Sequence, residues 1–357
     1  MNHIAAIQKA LPDAGLDGVL LTCRANRFYA VDFDSTGTDG ACLITPDHAW
    51  YWTDSRYIEA AGKRITGADV GLTDRAHPYK ELFAQVIRDH KIEKLGIDEE
   101  AMTLADHDRY AEALPCVLTG ASAMMNRLRA VKDEEEVARM MRAQRIAEQA
   151  WVELHNDIRP GVTEKFLTAR LIFLMLAGGA ENVSFDPIVV SGPNGSMPHG
   201  VPSEKPLQDG EFVTFDFGAL YQGYCSDMTR TVAIGHATDE MQHSYQAVLD
   251  AQLAAIGAFK AGTPGCDVHN AAVAVLEERG LAQYFTHGLG HSVGIEIHEA
   301  PNANPNNEKP LPEGAVVTAE PGIYIPGSYG IRIEDMVLVR KDGCANLTLA
   351  PKQLEIL

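Results

Sequence analysis

The segment EFVTFDFGALYQGYCSDMTRTVAI, residues 211–234, consists of two apolar runs on either side of a short polar stretch. Aromatic and β-branched residues dominate both runs and glycines lie between them, a pattern typical of an antiparallel hairpin. Asp216 lies within the first run and Asp227 near the start of the second. If the turn centres between Tyr221 and Gln222, these two aspartates face each other. Their Cβ atoms would then be roughly 5 Å apart.

A second segment of the same kind is AVVTAEPGIYIPGSYGIRIEDMVLVR, residues 315–340. Glu320 and Glu334 are symmetric about Gly327, so this hairpin also predicts a facing pair of carboxylates. Like charges at such a distance repel each other. Each pair therefore needs either a bound proton or a cation between the two groups.

Salt bridges to Arg230 and Arg332 are the alternative explanation for either pair taken alone. Two pairs with a histidine cluster between them in sequence argue against that alternative. The cluster is FTHGLGHSVGIEIHEAP, residues 285–301. Its histidines do not form the H-E-x-x-H zinc motif, and Gly288 and Gly290 argue against a helix. Four carboxylates and an imidazole suit divalent ions such as Mn²⁺, Co²⁺ or Zn²⁺. Two such ions can share a bridging hydroxide and stabilise a tetrahedral intermediate, which is the chemistry of hydrolysis.

Helical patterns precede each hairpin. The spans are 126–155, 163–176, about 238–260 and 267–279. Within the first span, Asp133 and Glu136 have the spacing of a capping box, which marks the start of a helix. Its predicted apolar face consists of Val137, Met140, Met141, Ala147, Trp151 and Leu154. The order of two helices and a hairpin, repeated once, predicts an α+β arrangement with helices outside a curved antiparallel sheet.

The first third of the chain alternates strand and helix patterns. The predicted strands are 18–22, 40–45, 48–53 and 94–100, and the predicted helices are 56–65 and 79–90. This alternation predicts a smaller α/β domain. We therefore expect two domains, 1–122 and 123–357.

Composition restricts the class of protein. The chain has 357 residues, 46% of them hydrophobic, and a formal net charge of −19, which argues against nucleic acid and anionic membranes as partners. Six cysteines are scattered without a C-x-x-C pair, as expected for reduced thiols. The N-terminus has no signal-peptide pattern, and no run of about 18 apolar residues occurs. These features predict a cytoplasmic protein.

The two hairpins and the histidine cluster resemble segments of the pita-bread metallopeptidases, which include Xaa-Pro aminopeptidases, prolidases and methionine aminopeptidases. The matching segments are 184–202, 213–231, 286–301 and 318–335, together with the helix at 126–155. The resemblance implies a C-terminal pita-bread fold, preceded by a smaller creatinase-like N-terminal α/β domain.

The resemblance also implies which residues hold two metal ions. Asp216 would bind one ion and His291 the other, while Asp227 would bridge both ions. Glu320 would join His291 and also act as general base, and Glu334 would complete the bridge. Creatinases share the fold but lack this ligand set.

Further site residues follow from the same resemblance. His199 and His298 match histidines that contact the substrate and stabilise the tetrahedral intermediate. Arg332 matches an arginine that orients the substrate or Glu334. The substrate pocket would be lined by Phe185, His287 and Ile297.

The length of the N-terminal region favours the proline-specific members over methionine aminopeptidases. Residues 32–61 resemble Xaa-Pro aminopeptidases, although F-D-S-T-G stands here where an F-T-G-S-x-G-like run is usual. The sequence thus predicts an Xaa-Pro aminopeptidase with a metal-bridging water as nucleophile, with Mn²⁺ as the first expectation and Co²⁺ or Zn²⁺ as alternatives. A homodimer is implied as well. The alternatives are an Xaa-Pro dipeptidase and a non-catalytic peptide-binding protein on the same fold; the complete ligand set argues against the latter.

Overall fold

The computed structural model describes residues 2–35 and 39–357. The chain divides into two compact units, Met1–Arg129 and Ala130–Leu357. The domain boundary expected after residue 122 stays a prediction. The F-D-S-T-G run includes residues 36 and 37 and so lies partly outside the described residues.

The first unit is built on a mixed sheet. Its strands are β1 Gly18–Leu21, β2 Gly40–Ile44, β3 Ala49–Thr53, β4 Asp69–Leu72, β5 Lys94–Ile97 and β6 Val117–Gly120, and their spatial order is β4-β3-β2-β1-β5-β6. Its helices are α1 Ile4–Ala10, α2 Arg24–Val31, α3 Ile58–Arg64, α4 Tyr79–Asp89, α5 Leu104–Ala113 and α6 Ser122–Ala130. β1, β2 and β3 pair antiparallel, whereas β4, β5 and β6 each join a parallel neighbour. All predicted strands and helices of this region are present.

Helix α2 was not predicted, and its burial explains why. Residues 25–31 are all buried, so the helix has no polar face that would mark a helical period. Even Arg27 is only 1% exposed, and its guanidinium donates hydrogen bonds to the carbonyl oxygens of Thr22, Ser35 and Gly40. These bonds satisfy the buried charge within the first unit.

The second unit contains four helices among its described residues. They are α7 Glu134–Leu154, α8 Glu164–Ala177, α9 Asp239–Ala258 and α10 Gly265–Glu278. The capping box of Asp133 and Glu136 is confirmed at the start of α7. The predicted apolar face of α7 was wrong at Met141, which is 41% exposed, while Met140 is fully buried. Consecutive helical residues differ by about 100° in direction, so both cannot face the core.

The strands of the second unit pair antiparallel. They are β7 Asn182–Val183, β8 Ile188–Ser191, β9 Phe212–Phe217, β10 Ala219–Tyr221, β11 Tyr224–Cys225, β12 Met228–Ala233, β13 Gly290–Ser292, β14 Glu299–Ala303, β15 Val316–Ala319, β16 Gly322–Ile325, β17 Tyr329–Arg332, β18 Asp335–Arg340 and β19 Gly343–Asn346. The sheet orders are β12-β9-β8, β11-β10-β7, β14-β13-β15-β18-β19 and β16-β17.

Each pair of helices packs against its own hairpin. Trp151 of α7 and Leu171 of α8 share a buried cluster with Phe215 of β9. A second cluster joins α9 and α10 to β15, β16, β17 and β18. The repeated order of two helices and a hairpin therefore yields two similar layers, and the predicted α+β arrangement is confirmed.

All six cysteines are free, which confirms the expectation of unpaired thiols. Among the described residues, we find no helix with the length and apolar character needed to cross a bilayer.

Candidate functional site

The register of the first hairpin differs from the prediction by two residues. Asp216 of β9 pairs with Thr229 of β12, so the expectation that Asp216 directly faces Asp227 was wrong. The turn is formed by Gln222 and Gly223, whose φ angles of 46° and 78° are the positive pair that a type I′ hairpin turn requires. A shift of two residues keeps a side chain on the same face of the sheet. Asp227 therefore remains a diagonal neighbour of Asp216.

The register of the second hairpin is confirmed. Gly322 pairs with Arg332 in one ladder and Ala319 pairs with Asp335 in the other, so both ladders are symmetric about Gly327. Glu320 and Glu334 lie in the break between the ladders.

A single bridge between Thr229 and Glu334 joins the two hairpins. The side chains confirm this contact, because the Thr229 hydroxyl donates a hydrogen bond of 2.6 Å to Glu334 Oε2. The two carboxylate pairs, separate in sequence, thereby meet in one site.

His291 is the histidine that lies against the carboxylates. Its Nε2 is 3.6 Å from Asp227 Oδ2 and 3.4 Å from Glu320 Oε1. Asp227, His291 and Glu334 offer ligand atoms that all lie within 4.8 Å of one another. The side chains of Thr318 and Glu320 are joined by a 3.0 Å hydrogen bond, and Thr318 also accepts from the His291 backbone N–H.

Three of the four carboxylates keep a buried oxygen that has no hydrogen-bond partner. These atoms are Asp216 Oδ1, Asp227 Oδ1 and Glu334 Oε1. Buried polar atoms are otherwise almost always hydrogen-bonded, so three orphaned acceptors in one place call for a shared partner. Carboxylate oxygens and a histidine nitrogen are suitable ligands for a divalent cation. The donor set therefore fits a metal centre.

The electrostatics of the cluster support the same conclusion. Burial, together with the charges of neighbouring carboxylates, raises the pKa of Asp227 and of Glu334. Burial also raises the pKa of Glu320 to about 7. The pKa of His291 is lowered by burial, which favours the neutral imidazole that binds metals.

Salt bridges to arginine neutralise only some of the four carboxylates in the cluster. Arg332 Nη2 lies 2.5 Å from Asp216 Oδ2. Asp216 therefore does form a salt bridge to one of the two arginines considered as an alternative to a metal. Arg230 instead pairs with Asp335 at 2.8 Å and donates to the backbone carbonyl of Glu334. Two arginines thus do not neutralise the four carboxylates.

All eleven predicted site residues line one cavity of about 530 Å³ in the second unit. They are Phe185, His199, Asp216, Asp227, His287, His291, Ile297, His298, Glu320, Arg332 and Glu334. Further residues that were not predicted also line the cavity, namely Asp186, Ile188, Pro198, Gly288, Gly290, Asn302 and Asn304. Most of these flank predicted site residues in sequence, and adjacency is the signal that could have identified them.

His287 lines the cavity, but both of its ring nitrogens are engaged by the protein. Its Nδ1 lies 2.7 Å from the carbonyl oxygen of Gly288, so this nitrogen carries the proton. Its Nε2 then accepts from the Tyr324 hydroxyl at 2.9 Å, while that hydroxyl accepts from Arg332 Nη1 at 2.7 Å. Burial lowers the pKa of His287 to about 4, in agreement with a neutral ring. Tyr324 links His287 to Arg332 and was not among the predicted site residues.

His298 and His199 are the exposed histidines of the cavity. The His298 ring stands edge-on to the His291 ring, with centroids 4.3 Å apart. His199 lies in a loop that follows the short 3₁₀ helix Gly192–Ser196. Both imidazoles are therefore accessible beside the carboxylate cluster.

The metal-free protein is expected to lose stability as the pH rises from 6.5 to 8, because below that range the histidines with lowered pKa values act in the opposite direction. Asp227, Glu320 and Glu334 have raised pKa values in the folded state, so the folded chain binds more protons than the unfolded chain. The resulting stabilisation is complete below the unfolded pKa of about 4 and is lost as the pH passes the folded pKa. For Glu320 that loss falls near pH 7.

Thermal unfolding of chelator-treated protein at several pH values measures this effect. Each kcal/mol lost should lower the Tm by about 2–4 °C. The Glu320→Gln variant is the control, and its Tm should vary less with pH. A metal-free Tm that stays constant or rises between pH 6.5 and 8 would contradict the prediction.

Two family models match the chain, one for each unit. Residues 3–131 match the Creatinase/Prolidase N-terminal domain, and residues 138–341 match Metallopeptidase family M24. Among curated proteins, an uncharacterised peptidase of Bacillus subtilis, YqhT, is 36% identical over 344 residues, covering 96% of both chains.

Solved structures are similar over the whole chain. The Xaa-Pro dipeptidase from Bacillus anthracis has a TM-score of 0.94 and 39% identity, covering 99% of both chains. The X-Pro aminopeptidase from Thermotoga maritima has a TM-score of 0.92 and 35% identity, covering 100% of both. The predicted fold class, a pita-bread fold preceded by a creatinase-like domain, is confirmed.

Proposed function

The chain belongs to metallopeptidase family M24, and we propose that it is an Xaa-Pro aminopeptidase, which removes the N-terminal residue that precedes a proline. The observation that carries this proposal is the cluster of buried carboxylates with unpartnered oxygens, beside accessible histidines in one cavity. The proposed substrates are peptides whose second residue is proline.

Five residues are proposed to hold two divalent ions, with Mn²⁺ as the first expectation. They are Asp216, Asp227, His291, Glu320 and Glu334. Bound divalent ions supply positive charge that polarises a carbonyl oxygen and lowers the pKa of water. The metal content of the protein, measured as purified and again after reconstitution with a divalent ion, tests this part of the proposal. Fewer than two equivalents after reconstitution with Mn²⁺, Co²⁺ or Zn²⁺ would count against a dimetal site.

Glu320, His199 and His298 are proposed to act on the reacting groups. The carboxylate of Glu320 borders the same cavity and can accept and return a proton, as a general base must. Burial lowers the pKa of His298, so its ring is neutral and still carries one N–H. The N–H groups of His199 and His298 would stabilise the oxyanion that develops at the scissile carbonyl.

Selection for proline requires an apolar surface next to the reacting bond. The proline ring fixes φ and its nitrogen carries no hydrogen, so the ring is recognised by shape and apolar contact. Phe185, Ile188 and Ile297 line the cavity and supply such a surface.

The charges in the cavity favour an aminopeptidase over a dipeptidase. A dipeptide places its terminal carboxylate next to proline, and a carboxylate is best bound by a cation. Arg332 is the only lysine or arginine among the described cavity-lining residues. Its guanidinium already donates to Asp216, Tyr324, Thr229 and the carbonyl of Pro198. Neutral amides of Asn302 and Asn304 also line the cavity and suit a continuing peptide backbone.

Hydrolysis of Ala-Pro and Ala-Pro-Ala-Ala in the presence of Mn²⁺ tests the proposal. We expect release of alanine from the longer peptide, with a kcat/KM at least about tenfold above that for Ala-Pro, because a dipeptide carboxylate lacks a charged partner. The control is Glu320→Gln, which should hydrolyse neither peptide.

The alternative function is an Xaa-Pro dipeptidase, favoured by the similarity to the Xaa-Pro dipeptidase from Bacillus anthracis. Cleavage of Ala-Pro alone would establish it. If neither peptide is cleaved with Mn²⁺, Co²⁺ or Zn²⁺, two hypotheses remain: a different preference for the N-terminal residue, or a non-catalytic peptide-binding protein.

A further inference from the structure

Glu164 is a fully buried carboxylate outside the metal cluster. It is the first residue of α8, where Thr163 caps the helix, and its exposed fraction is 0%. None of the steps proposed above uses it. A buried carboxylate is costly unless hydrogen bonds compensate for the lost hydration, so its partners show what it stabilises.

Both oxygens of Glu164 accept hydrogen bonds from one segment of chain. Oε1 accepts from the backbone N–H and the hydroxyl of Ser191, at 2.7 and 2.8 Å. Oε2 accepts from the backbone N–H and the hydroxyl of Ser203, at 2.9 and 2.7 Å. The Asn194 amide nitrogen lies 3.2 and 3.1 Å from the two oxygens. One side chain therefore binds both ends and an interior residue of the segment 191–203.

This segment carries His199. Ser191 ends β8, and the segment then leaves the sheet through the 3₁₀ helix Gly192–Ser196. His199 lies beyond that helix, outside any strand, so no sheet ladder fixes its position. The neighbouring carbonyl of Pro198 accepts from Arg332 Nη1 at 3.2 Å, which ties the loop to the cavity. Glu164 therefore ties the two ends of the loop to each other at the start of α8.

We propose that Glu164 is a positioning residue for His199: it closes the loop 191–203 so that the imidazole faces the cavity. This inference rests on the proposed function, in which His199 stabilises the oxyanion. Ionised carboxylates only accept hydrogen bonds, and all of the groups aimed at Glu164 are donors. A glutamine of the same size would direct its own N–H₂ group at these donors.

A double-mutant cycle between Glu164 and His199 tests the proposal. Glu164→Gln is expected to lower kcat/KM on Ala-Pro-Ala-Ala by roughly 10–100-fold, because displacements of about 1 Å have effects of this size. In a His199→Ala background the same change should cost less than about threefold, because the group that it positions is gone. Bound metal should be unchanged in both backgrounds. In a His298→Ala background, Glu164→Gln should lower kcat/KM by the same factor as in the unsubstituted protein.

Glu136→Gln is the matched control. Glu136 is likewise a buried carboxylate in the first turn of a helix, and it accepts from the Asp133 backbone and the Tyr224 hydroxyl. Glu136→Gln should change kcat/KM by the same factor in the presence and in the absence of His199. If Glu164→Gln does not fold, Ser203→Ala removes one donor to Glu164 and enters the same cycle.

The outcomes separate the two proposals. Equal losses for Glu164→Gln in the presence and absence of His199 would overturn the positioning role and leave the proposed function intact. If the unsubstituted protein cleaves no Xaa-Pro peptide, the proposed function fails, and the role of Glu164 fails with it. Coupling to His199 but not to His298 supports the role.

Discussion

Replacement of Asp227 by asparagine is expected to lower kcat/KM by about a thousandfold or more. Asp227 Oδ1 has no partner within the protein, and Oδ2 lies 3.6 Å from His291 Nε2, at the centre of the proposed metal site. Metal ions contribute several kcal/mol to the stabilisation of transition-state charge, and each factor of ten in rate corresponds to 1.36 kcal/mol. The loss of a proposed metal ligand should remove most of that contribution.

Three measurements on this variant distinguish loss of metal from loss of fold. Metal content should fall together with hydrolysis of Ala-Pro-Ala-Ala. The metal-free variant should nevertheless melt above the metal-free unsubstituted protein, because asparagine removes one of several buried carboxylates that repel one another. Asp186→Asn makes the same chemical change elsewhere in the cavity and should keep its metal. Unchanged metal content and activity in Asp227→Asn would refute the dimetal hypothesis.

The two hairpins show how far local sequence determines a site. The symmetry of Glu320 and Glu334 about Gly327 was predicted because a turn residue marks the centre of that hairpin. The first hairpin was misjudged by two residues because Gln222 and Gly223, rather than Tyr221 and Gln222, take up the positive φ angles of its turn. The carboxylate cluster was still predicted, since a shift of two leaves each side chain on its face.

Contacts distant in sequence were beyond the reach of the same reasoning. The hydrogen bonds that converge on Glu164 come from serine and asparagine residues 27 to 39 positions away. In sequence such residues are typical of any turn. Tyr324 likewise has the pattern of an ordinary strand residue, and its bonds to His287 and Arg332 depend on the packing of two strands against a loop. Side-chain networks of this kind follow from tertiary structure rather than from local pattern.

Replacement of Lys132 by methionine is expected to destabilise the protein by about 3–5 kcal/mol, the usual cost of breaking a buried ion pair. Lys132 Nζ lies 3.0 Å from Glu299 Oε2, and the two side chains are only 1% and 5% exposed. Methionine fills a similar volume but removes the positive charge that lies 3.0 Å from this buried carboxylate. Glu299 directly follows His298 and also accepts from the backbone N–H of Glu296. The substitution should therefore also loosen the loop that carries His298 and lower kcat.

Urea unfolding of four proteins tests this prediction: the unsubstituted chain, Lys132→Met, the double variant with Glu299→Gln, and Lys165→Met. The double variant should be more stable than Lys132→Met, because glutamine removes the buried negative charge that faced Lys132. Lys165 pairs with Glu204 at 3.1 Å, but their side chains are 58% and 76% exposed, so its loss should leave the unfolding midpoint nearly unchanged. If Lys132→Met and Lys165→Met shift the midpoint equally, the buried pair does not stabilise this loop. If the double variant is as unstable as the single one, the cost arises from lost packing of the lysine side chain rather than from an isolated charge.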